Sequence, residues 1–132
     1  MDLTSIFRRS EPRLESRAHG VGPIVAAIIV GHTGNVTRFA SRDHYATYNG
    51  TAPIEASSGP TKRHRLNSRG NRQLNHAMHL AAVTQISRDT PGRVYYQRKI
   101  ASGKSTKEAM RALKRQISDA VFRQLVADAD RL

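Results

Sequence analysis

Residues 68–125 read SRGNRQLNHAMHLAAVTQISRDTPGRVYYQRKIASGKSTKEAMRALKRQISDAVFRQL, and the spacing of their apolar positions decides the fold class. From about Ser68 to Ser87, Leu74, Met78, Ala81 and Gln85 or Ile86 recur at helical intervals, so one face packs while Arg72, Asn75, His76 and His79 occupy the other. Thr90 and Pro91 read as the N-cap and first residue of a second helix through Ile100, stopped near Gly103. Ser105 and Glu108 form a capping-box pattern, in which hydroxyl and carboxylate each satisfy an otherwise unpaired N–H. The helix they open carries Ala109, Leu113, Ile117, Ala120, Val121 and Leu125 on one face, with Lys107, Arg111, Lys114 and Arg115 on or beside the other.

Upstream the same punctuation continues. Ser41 suits the N-cap of a short helix through Tyr48, with Asp43 favourable in its first turn and Gly50 as the stop. Gly20-Val21-Gly22-Pro23 permits a tight turn and then a helix start, and the apolar run Ile24 to Val30 predicts a helix ending at Gly31 or Gly34. Residues 50–66 hold Gly50, Pro53, Gly59 and Pro60 among small side chains and read as loop, with a short extended piece at Arg63 to Leu66. Residues 1–17 mix both charges around Pro12 without clear periodicity. The expectation is a small, mainly α domain over residues 14–130 after a poorly ordered lead-in at 1–13, with a Ser-containing loop and three C-terminal helices.

Charge is the stronger functional signal. The chain holds 22 Lys and Arg against 10 Asp and Glu, a net charge of +12. Residues 1–60 carry 6 basic and 5 acidic side chains, whereas residues 61–132 carry 16 and 5. That asymmetry points to nucleic acid, whose phosphates exchange counterions for Lys and Arg. With no Cys, a disulfide scaffold and a thiolate zinc site are excluded, which fits a reducing cytosol. The longest apolar run is too short to span a bilayer and too far from the N-terminus for a signal peptide, so the reading is a soluble intracellular protein.

Several residues are candidates for chemistry. Lys62, Arg63, Arg65, Arg69 and Arg72 fall within residues 62–72 with no acid between them, a surface for a polyanion. Just before them, Ser57 and Ser58 sit between Ala56 and Gly59, where small neighbours admit a bulky phosphodiester. Serines in such loops are ordinarily solvated turn residues, and a nucleophile needs a base or cations to stabilise charge developing on phosphorus. No Ser-His-Asp arrangement is visible, although Arg63, His64 and Arg65 supply charge nearby. The Gly20-Val21-Gly22 turn has the form of a helix-hairpin-helix hairpin, whose backbone N–H groups grip a phosphate without reading sequence; the plain alternative is a turn between helices. Tyr45 and Tyr48 suit core or base-stacking roles better than nucleophilic ones. His76 and His79, three apart, lack a third metal ligand and read as a solvated or DNA-facing pair. The acids form no cluster suited to a two-metal nuclease centre, and no metal ligand is assigned.

In order along the chain, HGVGPIVAA, TRFASRDHYATYNGTAPIEASSG, HRLNSRGNRQLNHAMHLAAVTQ, TPGRVYYQRK and KEAMRALKRQISDAVFRQL resemble the C-terminal domain of the IS-one-ten (one-sixteen, nine-oh-two) insertion-sequence transposases, the bridge recombinases. The resemblance covers about residues 14 to 128 and implies DNA transposition and recombination. Full-length members join an acidic, resolvase-like N-terminal domain, which holds a divalent metal such as magnesium, to a C-terminal part whose serine attacks DNA. A structured guide RNA pairs with target and donor, and members work as multimers in the prokaryotic cytoplasm or nucleoid. The nucleophile of the family lies in a Ser-Gly pair after a G-x-x-P segment, which falls here on Gly50, Pro53, Ser58 and Gly59, with Ser57 in reserve. Gly20, Gly22 and the five basic residues at 62–72 are then nucleic-acid contacts. The acidic domain has no counterpart in the first seventeen residues, so the expectation is a truncated or degenerate copy, inactive alone and carrying no cofactor of its own. Partners would be DNA, guide RNA, and further copies or full-length transposase. The competing reading is a non-catalytic basic DNA- or RNA-binding module.

Overall fold

A computed structural model describes residues 22–53 and 70–131. Five helices and one short 3-10 turn make up the described residues: α1 (Pro23–Thr33), the turn Val36–Arg38, α2 (Arg42–Asn49), α3 (Arg72–Ser87), α4 (Pro91–Ala101) and α5 (Thr106–Asp130). No strand occurs among them, and the mainly α class read from the spacing is the class observed. None of their helices is long and apolar enough to cross a membrane.

Local chemistry sets each boundary. Pro23 opens α1, and of the two glycines that might end it the chain uses Gly34, at φ +65°, whose N–H reaches Val30 O at 3.1 Å. Ser41 Oγ accepts from His44 N at 3.1 Å to start α2, and Gly50, at φ +81°, ends it. Thr90 caps α4 ahead of Pro91, and Ser105 and Glu108 complete the capping box of α5. Only the start of α3 departs from the spacing: Gly70 and Asn71 are not helical, and the helix begins at Arg72 because Asn71 Oδ1 accepts from Leu74 N at 3.0 Å.

Helix α5 is the central member, against which the 3-10 turn, α2, α3 and α4 pack, while α1 lies along α3. Ile29, Tyr45, Leu74, Met78, Leu113, Ile117 and Val121 are fully buried between them. Alanines at 77, 81 and 82 let helices approach α3 closely, and Gly92 does the same for α4, since a Cβ there would overlap the Gln85 amide. Phe39 meets Tyr45 edge-on at 5.1 Å, and Tyr45 lies 5.6 Å from Phe122, an aromatic chain that ties the 3-10 turn through α2 to α5.

Tyr45 therefore belongs to the core. Its hydroxyl lies 2.7 Å from Thr33 Oγ1, and burial pushes the phenol from 10.0 up to about 12. Below pH 10 folded and unfolded chains both keep this proton, so the contribution is fully present. Between pH 10 and about 12 only the unfolded chain releases it, and stability falls by ~1.4 kcal/mol per pH unit. Urea midpoints measured across this range are expected to fall less steeply for Tyr45→Phe than for the parent chain. Equal slopes would show that Tyr45 ionises as easily in the folded state as in the unfolded.

Candidate nucleic-acid interface

The site is built around the end of α2. Asn49 is fully buried; its Nδ2 donates to Ser118 Oγ on α5 at 2.9 Å, and its Oδ1 accepts from Thr51 N at 3.1 Å and Thr51 Oγ1 at 2.7 Å. One amide thus ties the turn to α5 and holds the turn's own shape. Gly50 is required twice over, for its positive φ and because a Cβ would lie 2.8 Å from Asn75 Nδ2. Asn75 comes this near because its Nδ2 donates to Asn49 O at 3.0 Å, leaving Oδ1 to accept from Lys114 Nζ at 3.2 Å.

The chain leaves this turn at Pro53 and returns at Gly70, and the return is fastened to the departure. Asn71 N donates to Tyr48 O at 2.6 Å, and Asn71 Nδ2 donates to Tyr48 OH at 3.1 Å. Arg38 spans the other side, with its guanidinium 4.5 Å from the Phe39 ring centre and 4.8 Å from that of Tyr48 while Nε donates to Thr33 O at 3.1 Å. The bond from Asn71, then the nearby Arg38 guanidinium, lowers the Tyr48 phenol below its ordinary value.

Both ends of that segment line a cleft of about 1080 Å³ between α3, α4 and α5. Among the described residues its cations are Arg72, Lys99, Lys104, Arg111, Lys114 and Arg115, and its one carboxylate is Glu108. Glu108 is occupied at the helix start, where its Oε1 accepts from Ser105 N at 2.9 Å, and this bond holds the carboxyl below its usual range. Arg115 is neutralised by Asp43 and Asp119, so it joins α2 to α5 rather than facing a ligand. The other five have no ion pair among the described residues. Burial lowers Lys114 below the ordinary lysine value, and burial, then the nearby Lys114 and His76, lowers His79. The arrangement is an electropositive trough with a polar floor.

Residues 13–97 match the family model described as Transposase IS116/IS110/IS902 family. The chain belongs to that family. It is 38% identical over 107 residues to the insertion element IS110 uncharacterized 43.6 kDa protein of Streptomyces coelicolor, covering 80% of this chain and 26% of that protein. It is 35% identical over 111 residues to the insertion element IS900 uncharacterized 42 kDa protein of Mycobacterium paratuberculosis, and 29% identical over 107 residues to the insertion element IS116 uncharacterized 44.8 kDa protein of Streptomyces clavuligerus; each match covers 80% of this chain and 27% of the relative. The chain spans about a quarter of the length of these curated relatives. No solved structure matches it. Membership in this family agrees with the resemblance carried by the ordered motifs.

Against the family motif, Gly50 and Pro53 stand at the cleft, while Ser57, Ser58, Lys62, Arg63, Arg65 and Arg69 lie outside the described residues, as do Gly20 and the piece at Arg63 to Leu66. Gly22 caps α1 with open space around it. Arg72 lies on the cleft wall, and His76 and His79 join it there. Among the described residues no three His, Asp or Glu stand close enough to hold a metal. Spacing did not mark Asn49, Lys99 or Lys104, and it placed Asn75 only on the outward face of its helix. The Asn-Gly pair at the end of α2 was their nearest signal, since a left-handed glycine after a buried amide brings another element into close contact.

Proposed function

We propose that this transposase-family chain is the serine-bearing, DNA-gripping part of an insertion-sequence recombinase. The observation that carries the reading is the cleft, onto which both roots of the Ser58 segment open and where five cations lack carboxylate partners among the described residues. Ser58 Oγ would attack a backbone phosphorus, so that the O–P bond to serine forms, the bond to one deoxyribose oxygen breaks, and that oxygen leaves with a proton. Lys62, Arg63, Arg65, Arg69 and Arg72 would hold flanking phosphates, and Gly20 and Gly22 would offer backbone N–H groups to another. Guide RNA and further transposase copies enter as partners through the family resemblance. The divalent metal of the family finds no donor set among the described residues, and no step here passes through it.

Supplied in trans with the acidic domain of a full-length family member and Mg²⁺, the chain is expected to form a protein–DNA adduct that survives SDS on a cognate junction. Ser58→Ala should abolish it while Ser57→Ala leaves it. An adduct that persists in Ser58→Ala removes Ser58 from the role. Salt-sensitive DNA binding with no adduct from the parent chain would establish the non-catalytic binding module instead.

A further inference from the structure

We propose that Lys114 is the seat for one backbone phosphate of a DNA strand at the floor of the cleft, aimed there by Asn75. The inference rests on the reading of the cleft as a DNA site and adds a residue outside the basic run at 62–72. A volume of about 1080 Å³ is close to that of a small-molecule pocket, so the space takes one strand's backbone rather than a duplex cross-section.

Lys114 and Arg115 are sequence neighbours with opposite treatment. Arg115 meets two carboxylates, Asp43 and Asp119; Lys114 is half-buried and its Nζ meets the neutral amide oxygen of Asn75. The direction of that amide is set, because Asn75 Nδ2 is taken by Asn49 O. Asn75 therefore holds the ammonium without neutralising it, and of three N–H donors only one is used among the described residues. Around the same cleft α3 presents His76 and His79, α4 presents Lys99, and α5 presents Arg111 and the capped Glu108, while Asp43 of α2 is tied to Arg115. A desolvated cation among other cations stays costly until an anion arrives, and a phosphate oxygen takes two charge-assisted bonds at once. Burial already lowers the affinity of Lys114 for its proton, and an adjacent phosphate should raise it again.

Fluorescence anisotropy with a labelled single-stranded oligothymidylate tests this, alongside thermal unfolding of each variant. Lys114→Gln is expected to weaken binding about tenfold and to reduce the slope of log affinity against log salt by about 0.7, the loss of one phosphate contact. Lys114→Arg should keep most of the slope. Arg131→Gln, remote from the cleft, should change neither quantity. Between neutral and alkaline pH, affinity should fall more steeply for the parent chain than for Lys114→Gln. Lys114→Met should lose affinity yet unfold at the parent temperature or above, since it removes a desolvated charge; a purely structural lysine would give the reverse. A parent chain that binds the strand with the same slope and pH profile as Lys114→Gln overturns the seat alone. A parent chain that binds no strand at any salt overturns the reading beneath it as well.

Discussion

Asn49→Ala is expected to lower the melting temperature by about 10–20 °C, a loss of about 3 kcal/mol for a domain of this size. Asn49 is fully buried and serves three partners, so truncation takes this partner from Thr51 Oγ1 and Ser118 Oγ and loses the buried amide's own bonds, while Thr51 N keeps its bond to Ala46 O at 2.9 Å. Ser118→Ala removes only one of these bonds and should cost about half as much. Circular dichroism melts of the two variants measure the ratio. A fall of only a few degrees for Asn49→Ala would mean that the turn finds other partners. The variant keeps the backbone carbonyl that orients Asn75, but with the turn no longer tied to Ser118 that carbonyl is less firmly placed, so Asn75 and through it Lys114 should be held less well and DNA binding should weaken.

Neutralising the rim of the cleft should have the largest effect on binding and almost none on stability. Arg72, Lys104 and Arg111 are exposed and Lys99 is half-buried, and none has an ion pair among the described residues. Replacing all four by Gln is expected to reduce the salt slope by about 3–3.6, according to whether the probe is single- or double-stranded. Over a fourfold rise in salt that is about two decades of affinity. Exposed substitutions away from caps and cores change stability by about 0.5 kcal/mol or less, so the melting temperature should hold. The comparison that decides the matter neutralises four arginines elsewhere, Arg42, Arg88, Arg93 and Arg123. Equal losses from both sets would show that binding follows net charge and not the cleft.

The helices were legible because their ends are written in short-range chemistry. Ser41, Thr90 and Ser105 cap neighbours three positions on, and Pro23 and Gly50 act through their own backbone preferences, so nothing distant is needed to read them. The packed face of α5 was legible from Ala109, Leu113, Ile117 and Val121, yet the same periodicity missed Ser118 and Gln124, which are buried as polar residues, Ser118 bonded to Asn49 from 69 positions away and Gln124 to Asp128 one turn on. Asn75 and Lys114 fell on the outward-facing side by spacing alone. Their inward role depends on the approach of α2 to α3 and α5 across 26 and 69 sequence positions, which no local pattern contains. The basic character of the site was visible in composition. Which cations stay unneutralised was visible only in part: Asp119 stands one helical turn from Arg115, but its second partner, Asp43, comes from 72 positions away.

The fastening of Asn71 to Tyr48 carries a consequence for how such a chain diversifies. With departure and return fixed at one point by Asn71 N on Tyr48 O and by Asn75 on Asn49 O, the scaffold is insulated from the length of what lies between Pro53 and Gly70. Doubling the number of residues spanned between two fixed ends changes the closure entropy by only ~0.6 kcal/mol. A lineage can therefore lengthen, shorten or rewrite the serine-bearing stretch between Pro53 and Gly70 at little cost in closure entropy to the described helices.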